Sequence, residues 1–229
     1  MFHTIIYQPL FNLLVLLYDI IPGRDIGIAI IVLTLAIKLA LHPFTKKSAQ
    51  YQKGMQALSP QLKKLKEQHK DKPDILTQET MKLYKETGVS PFGGCLPILI
   101  QLPLLIGLFQ VFRAGFTQSA LADLYSFIQN PGVINPLFLG FLNLSQPSIV
   151  VAFLASVAQF VQGYMFPLIP VPSEAGGDMN QQLTKQMIFM APILTFIISI
   201  GLPAALPFYW FFNSAFSAIE GFILKKNVL

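Results

Sequence analysis

Two groups of polar residues interrupt long apolar stretches of the sequence. Within each group the residues recur every three or four positions, so a helix would place them on one face. The groups are Thr34, Lys38 and His42, and Tyr209, Asn213, Ser217 and Glu220. The apolar stretches contain no paired carboxylates and no His, Cys and acid residues at nucleophile or metal-ligand spacing. The pattern therefore predicts hydrogen bonding and charge attraction, with no enzyme activity, metal or cofactor.

The composition indicates the elements that carry these residues. Apolar residues make up 53% of the chain and charged residues 12%, whereas charged residues make up about a quarter of soluble proteins. We therefore expect an all-α, polytopic membrane protein with a core of five spanning helices. The first span is expected to end at His42-Pro43, because proline breaks helices. The spans are residues 26–44, 95–112, 148–166, 187–202 and 206–224.

The basic charge is concentrated in one segment. Ten lysines and five acidic residues lie between Lys46 and Glu86, and this excess equals the net charge of +5. Loops rich in lysine stay on the cytoplasmic side of a membrane. This segment and the C-terminus are therefore expected inside the cell, and an odd number of spans places the N-terminus outside. Such a distribution argues against binding to a specific nucleic-acid sequence.

The N-terminal segment, residues 1–24, is expected to be an amphipathic helix that lies on the outer leaflet and ends at Pro22-Gly23. A sixth span is the alternative, but polar residues interrupt the apolar run. The remainder, residues 25–229, is expected to form the five-span core.

A cytoplasmic antiparallel helical hairpin is predicted for residues 46–92. Its first helix is expected to start at Ser59-Pro60 and its second to stop at Gly88. A simple solvated connector is the other explanation. The segment is much longer than a connection needs, since most connections have about 4–6 residues, and this favours a docking arm.

Lys38 has two explanations. It lies six residues before Phe44, so its ammonium group could reach the helix end about 9 Å away by extending along the helix. Alternatively, it faces the bundle interior or a water-filled cavity, as charged groups inside membranes usually do. Ordinary hydrogen bonds between helices would explain each of Gln101, Gln162 and Asn213. The convergence of several polar stripes instead favours one groove that these residues share.

Residues 55–109 closely resemble the cytoplasmic hairpin and second core helix of YidC-type insertases, in the YidC/Oxa/Alb family. The similarity rests on MQAL-x-P, then QETMKLYKE-x-G-V-x-P-x-GGCLP-x-L-x-Q-x-P, and on PAALPFYWFFNS at residues 203–214. It covers about residues 5–224. The chain resembles the short form, which lacks the large extracytoplasmic domain.

The resemblance implies five core helices around a hydrophilic groove that opens to the cytoplasm and the lipid. Lys38 matches the groove's positive residue, which is arginine in most members, and Thr34, Gln101 and Tyr209 match further positions of the family. The implied function is insertion and folding of nascent membrane proteins in the bacterial plasma membrane, alone or with the Sec translocon. The ribosome and signal-recognition components would bind the hairpin, and membrane lipids would surround the core.

A transporter or channel for small anions, with Lys38 as the anion site, is the alternative function. The sequence lacks the internal repeat that inverted-repeat transporters show. A long cytoplasmic arm has no evident use in such a protein.

Overall fold

A computed structural model describes residues 1–90, 96–114, 120–165 and 177–228. A π-helical turn, His3–Tyr7, continues directly into the first α-helix, and one short 3-10 turn, Ala120–Asp123, follows the fourth. The regular structure of the described chain is helical apart from one small β-hairpin, which confirms the all-α class. The elements are α1 Gln8–Ile20, α2 Ile26–Gln68, α3 Pro73–Thr87, α4 Leu96–Ala114, β1 Leu137–Phe138, β2 Leu142–Asn143, α5 Ile149–Met165, α6 Gly177–Ile200 and α7 Ala205–Val228.

The predicted N-terminal helix is present, and one face of it belongs to the main apolar core. Phe11, Leu14 and Val15 are fully buried against neighbouring helices. The Asn12 amide donates to the carbonyl of Asp123 at 3.0 Å, and its oxygen accepts from the backbone N–H of Tyr125 at 2.6 Å. The helix is therefore tied to the segment that follows α4.

α2 is one continuous helix of 43 residues, and both predicted boundaries inside it are wrong. The helix passes through Pro43, where the first span was expected to end, and through Pro60, where the first helix of the hairpin was expected to begin. Each proline removes the hydrogen bond to the carbonyl four residues earlier, at Leu39 and Gln56. All four residues are exposed. The lost bonds lie on the outer face of the helix, where no packing contact depends on them.

The C-terminal part of α2 and α3 lie against each other around a small apolar cluster. Met55, Leu58 and Tyr84 are buried in it. Gly88 ends α3 in the left-handed conformation at φ +65°, as expected for a glycine after a helix. Burial raises the pKa of the Tyr84 phenol. Residues 91–92 of the predicted hairpin lie outside the described residues.

Residues 120–148, here called the cap, contain a β-hairpin that the sequence analysis did not anticipate. β1 and β2 pair antiparallel, with Leu137 opposite Asn143. The Asp25 carboxylate accepts from the backbone N–H of Leu139 at 2.6 Å, and it also caps α2 by accepting from Gly27 N–H at 2.8 Å. One carboxylate therefore joins the hairpin to the start of α2.

The described residues include one helix, Ile26–Gln68, that is long and apolar enough to cross a membrane by length and composition. α4 to α7 occupy the positions of the other predicted spans, and α5 packs against both α6 and α7. Residue 95, where the second span was expected to start, is outside the described residues. Shorter apolar helices occupy Leu99–Ala114, Ile149–Met165 and Ile188–Ile200.

Gly27 provides a test of how the cap packs on α2. A Cβ at Gly27 would overlap the Phe138 ring, whereas a Cβ at Gly163 of α5 would meet open space. We expect Gly27→Ala to lower the free energy of unfolding by about 1–3 kcal/mol, as overpacking does. Gly163→Ala should raise it by about 0.5–1 kcal/mol, because alanine favours helix. Thermal unfolding in detergent measures both, and equal shifts of one sign would contradict the packing.

Candidate functional site

Buried side chains are concentrated at the cap end of the helix bundle. In α2 the buried residues of the apolar part run from Ile26 to Thr34, and in α7 a continuous buried run ends at Tyr209. Beyond these points the apolar parts of both helices are half-buried or exposed, apart from Ser214 and Leu224 of α7. The stretches without any buried residue are 35–47 in α2, 99–106 in α4 and 157–165 in α5. These three stretches, with residues 210–223 of α7, are called the open half of the bundle below.

Lys38 lies in the open half and is turned toward α7. Its ammonium nitrogen donates to the Ser217 hydroxyl at 2.5 Å, and that hydroxyl donates to the carbonyl of Asn213 at 2.8 Å. Lys38 also interacts electrostatically with Glu220. An extended side chain that reaches toward the helix end would point along α2, so this contact with α7 favours the interior explanation.

One turn further along both helices, His42 and Glu220 form a second contact. The His42 Nδ1 and a carboxylate oxygen of Glu220 are 2.7 Å apart. The Glu220 side chain is 13% exposed and that of His42 46%. The two polar stripes of the sequence therefore meet along the line where α2 and α7 face each other. Ser217, Glu220 and His42 stood on those stripes but were not predicted as site residues.

Gln101 connects α4 to the same helix, α7, nearer the cap end of the bundle. Its amide donates to the Tyr209 hydroxyl at 2.7 Å. Tyr209 is 1% exposed, so it belongs to the packed core and does not present an open surface to a ligand. Thr34 is equally buried and donates to the carbonyl of Ile30 in its own helix at 2.6 Å. Thr34 and Tyr209 therefore lie where the packed cap end of the bundle meets the open half.

The remaining predicted site residues are half-buried. The side chains of Gln162, in α5, and Asn213, in α7, form no hydrogen bond with another described residue. Gln159, one turn before Gln162, has a buried side-chain oxygen that accepts no hydrogen bond within the described chain. The open half thus contains amide groups with free hydrogen-bonding capacity. Among the described residues no three His, Cys, Asp or Glu side chains are grouped as metal ligands.

Comparison with known proteins identifies the family. A sequence profile described as 60Kd inner membrane protein matches residues 16–229. The chain belongs to this family. The resemblance to YidC-type proteins that the sequence indicates is thereby confirmed.

Named relatives support the same membership. The chain is 34% identical over 204 residues to the membrane protein insertase YidC of Fusobacterium nucleatum, covering 89% of this chain and 88% of the relative. It is 31% identical over 210 residues to the membrane protein insertase MisCA of Bacillus subtilis, covering 90% and 72%. The YidC of Lawsonia intracellularis is 34% identical over 214 residues, but the chain spans only 37% of that longer protein.

The Gln101–Tyr209 contact can be measured with a double-mutant cycle. Tyr209→Phe and Gln101→Leu should each lower the free energy of unfolding by about 1 kcal/mol, because each leaves a polar partner unsatisfied. The double variant should lose less than the sum, with a coupling of about 0.6 kcal/mol, as for other hydrogen bonds between membrane helices. Unfolding in detergent gives these values. Tyr164→Phe, at an exposed tyrosine of α5, is the control, and strictly additive losses would contradict the contact.

Proposed function

We propose that this chain is a membrane protein insertase, which helps nascent membrane proteins enter and fold in the bacterial plasma membrane. The observation that carries the proposal is the packing asymmetry of the bundle. The helices are packed tightly at the cap end, while the other end holds a lysine, amides and half-buried side chains. Membership of a family whose relatives are named insertases supports the same conclusion.

The orientation follows from charge. The part of α2 after Lys46, together with α3, carries the basic excess, so we place it in the cytoplasm. α2 then enters from the outside at Ile26, and the cap lies at the outer surface. α2, α4, α5, α6 and α7 form the five spans. The N-terminus lies outside, where α1 rests at the outer interface, and the C-terminus lies inside.

In this proposal the open half is a groove that lowers the free-energy barrier to translocation of a substrate. Each unpaired polar group of a substrate costs several kcal/mol in hydrocarbon. The open half brings hydrogen-bonding groups, and the water that they attract, into the inner leaflet. The polar flank of a substrate then has to cross only the remaining depth of the membrane, which corresponds to the packed cap end of the bundle. The groove residues in this proposal are Lys38, Gln101, Gln162 and Asn213, with Ser217, Glu220 and His42 added from the geometry. Thr34 and Tyr209 are buried and form the closed end of the groove.

Lys38 is the charged group that receives the substrate. Among the described residues its ammonium group donates to Ser217, and an acidic residue of a substrate can exchange with that hydroxyl. Glu220 holds a negative charge nearby and keeps His42 on the α7 side of the groove. Arginine offers a planar, bidentate donor group, whereas lysine is a compact charge. Lys38 therefore attracts carboxylates without fixing their orientation.

The anion transporter finds no supporting observation among the described residues. An anion site would need further donors around Lys38. The partners of Lys38 among the described residues are instead the Ser217 hydroxyl and the Glu220 carboxylate, and neither is a second cation. The relatives quoted above are named neither as transporters nor for an enzymatic reaction.

The α2–α3 hairpin is proposed as the docking arm for the ribosome and signal-recognition components, with the Sec translocon as a further partner of the core. The hairpin has a small apolar cluster of its own. Lysines such as Lys63, Lys64 and Lys82 lie on its exposed faces, which suits ribosomal RNA and anionic surfaces. It is therefore structured without using its charged surface for packing.

Lys38→Ala tests the insertase proposal. It should reduce insertion of a single-span substrate with an acidic external tail roughly tenfold, because a hydrogen bond to a charged group contributes about 1.5–3 kcal/mol. Lys38→Arg should retain most of the activity. Purified protein in liposomes, scored by protease protection of the substrate, gives the readout. Arg113→Ala removes an exposed charge from the cap end of α4, outside the open half and the hairpin, and is the control. Unchanged activity of Lys38→Ala with every substrate would contradict the role of Lys38.

The docking arm is tested by charge reversal. Lys63→Glu combined with Lys64→Glu should weaken co-sedimentation with ribosomes roughly tenfold or more at low salt, since each basic residue near an anionic surface contributes about 1 kcal/mol. The matched variant Lys63→Arg with Lys64→Arg should bind normally. Ribosome binding that is identical in both variants and insensitive to salt would show that these lysines take no part.

A further inference from the structure

The turn of the cap hairpin exposes large apolar side chains. Residues 139–141, here called the cap tip, connect β1 to β2. Leu139 is 59% exposed and Phe141 75%. The backbone N–H of Phe141 donates to the carbonyl of Phe138 at 3.2 Å, which closes the turn. An ordered turn therefore holds two apolar groups away from the core.

Leu139 occupies a backbone conformation that disfavours leucine. Its φ is +50° and that of Gly140 is +79°. These are the two central residues of the turn that the Phe141–Phe138 hydrogen bond closes, and hairpin turns with positive φ at both central positions strongly prefer Asn, Asp or Gly. Leucine there costs free energy and, being 59% exposed, recovers little of it by packing within the chain. Strained residues of this kind cluster at functional positions.

The cap tip is attached rigidly to the helices behind it. Asp25 holds the N–H of Leu139 with one carboxylate oxygen and caps α2 with the other. The Phe138 ring covers Gly27 and packs edge-on against Phe208 of α7, with centroids 4.9 Å apart. The tip cannot move relative to the outer ends of α2 and α7 without breaking these contacts.

These attachments set the height of the cap tip relative to the apolar surface of the bundle. The apolar part of α2 starts at Ile26, next to Asp25. α5 follows the cap directly, and its first residues Ile149 and Val150 are 64% and 63% exposed. In the orientation of the proposed function, this is where the lipid-facing surface begins. Because Asp25 and Gly27 hold the hairpin at the start of α2, we place the tip at the level of the outer headgroups.

Charge favours lipid over a charged partner. The cap carries one charged residue, Asp123, and no lysine or arginine. Asp123 is already 3.4 Å from the His3 ring. Electrostatic attraction to headgroups or to an acidic protein therefore has no source in the cap. Apolar side chains that continue a lipid-facing surface enter the boundary between headgroups and acyl chains, roughly 5–10 Å deep.

We propose that Leu139 and Phe141 form a lipid anchor, which inserts into the outer leaflet and fixes the height of the closed end of the bundle. The proposal rests on the orientation given under the proposed function. An anchor at this end keeps the packed half in the outer leaflet, so the open half stays in the inner leaflet, where substrates arrive.

The single tryptophan, Trp210, makes a direct depth measurement available. Trp210→Phe removes it, and Phe141→Trp then introduces a reporter at the cap tip of the full chain. In phosphatidylcholine liposomes we expect the tryptophan emission of this variant to be blue-shifted. Lipid brominated near the glycerol should quench it more strongly than lipid brominated at the chain end, and more strongly than acrylamide in the aqueous phase. Met81→Trp in the same background, on exposed α3, is the control and should be quenched by acrylamide alone.

Two results would overturn the anchor. Quenching of the tip reporter mainly by acrylamide would place the cap tip in water. Protection from acrylamide and from both brominated lipids would show that a protein surface covers it. The insertion assay in the same liposomes separates the two proposals, because a water-exposed tip with normal insertion removes only the anchor, and a lipid-buried tip without insertion removes only the insertase function.

Leu139→Asn tests the role of Leu139 in the anchor with a variant that is expected to fold. Asparagine is favoured at positive φ, so the unfolding temperature in detergent should be retained or raised. Added to the reporter variant, it should reduce quenching by the shallow brominated lipid. Unchanged quenching with retained stability would show that Leu139 has no part in the anchor.

Discussion

An ammonium group within an apolar helix must keep a polar partner, and this requirement constrains how α2 and α7 face each other. Lys38 meets it through Ser217. Once that pair is in place, the helical repeat brings the next polar residue of each helix together, so His42 meets Glu220 at 2.7 Å. The two contacts form one wall of the open half. Unpaired charges are costly in hydrocarbon, so this wall requires polar surroundings such as water.

The cap supplies the opposite constraint. Asp25 joins the β-hairpin to α2, and Asn12 joins α1 to the start of the cap. The apolar side chains of α1, α2, α4 and α7 are buried beneath these connections. A bundle that is closed at one end by packing can remain loosely packed at the other without losing its fold. Stability and an accessible polar interior are thus separated along the helix axis.

The positions of the helices were largely predictable from the sequence, because long apolar runs and glycine or proline breaks are local signals. The boundaries at Pro43 and Pro60 were wrong, since exposed prolines interrupt individual hydrogen bonds but did not end this helix. The cap hairpin was missed because its strands have two residues each, too short for a period-two pattern. Leu139 in the turn, where Asn or Gly is usual, removed the remaining signal.

Spacing along the chain determined which polar residues share a helix face, and so the two stripes through Lys38 and through Asn213 were visible in the sequence. Only the tertiary structure decided that these stripes meet, that Ser217 is the partner of Lys38, and that Tyr209 is buried against Gln101. The reason is physical. The rotation and axial register of one helix against another depend on many side chains far apart in sequence, and no single residue or interval specifies them.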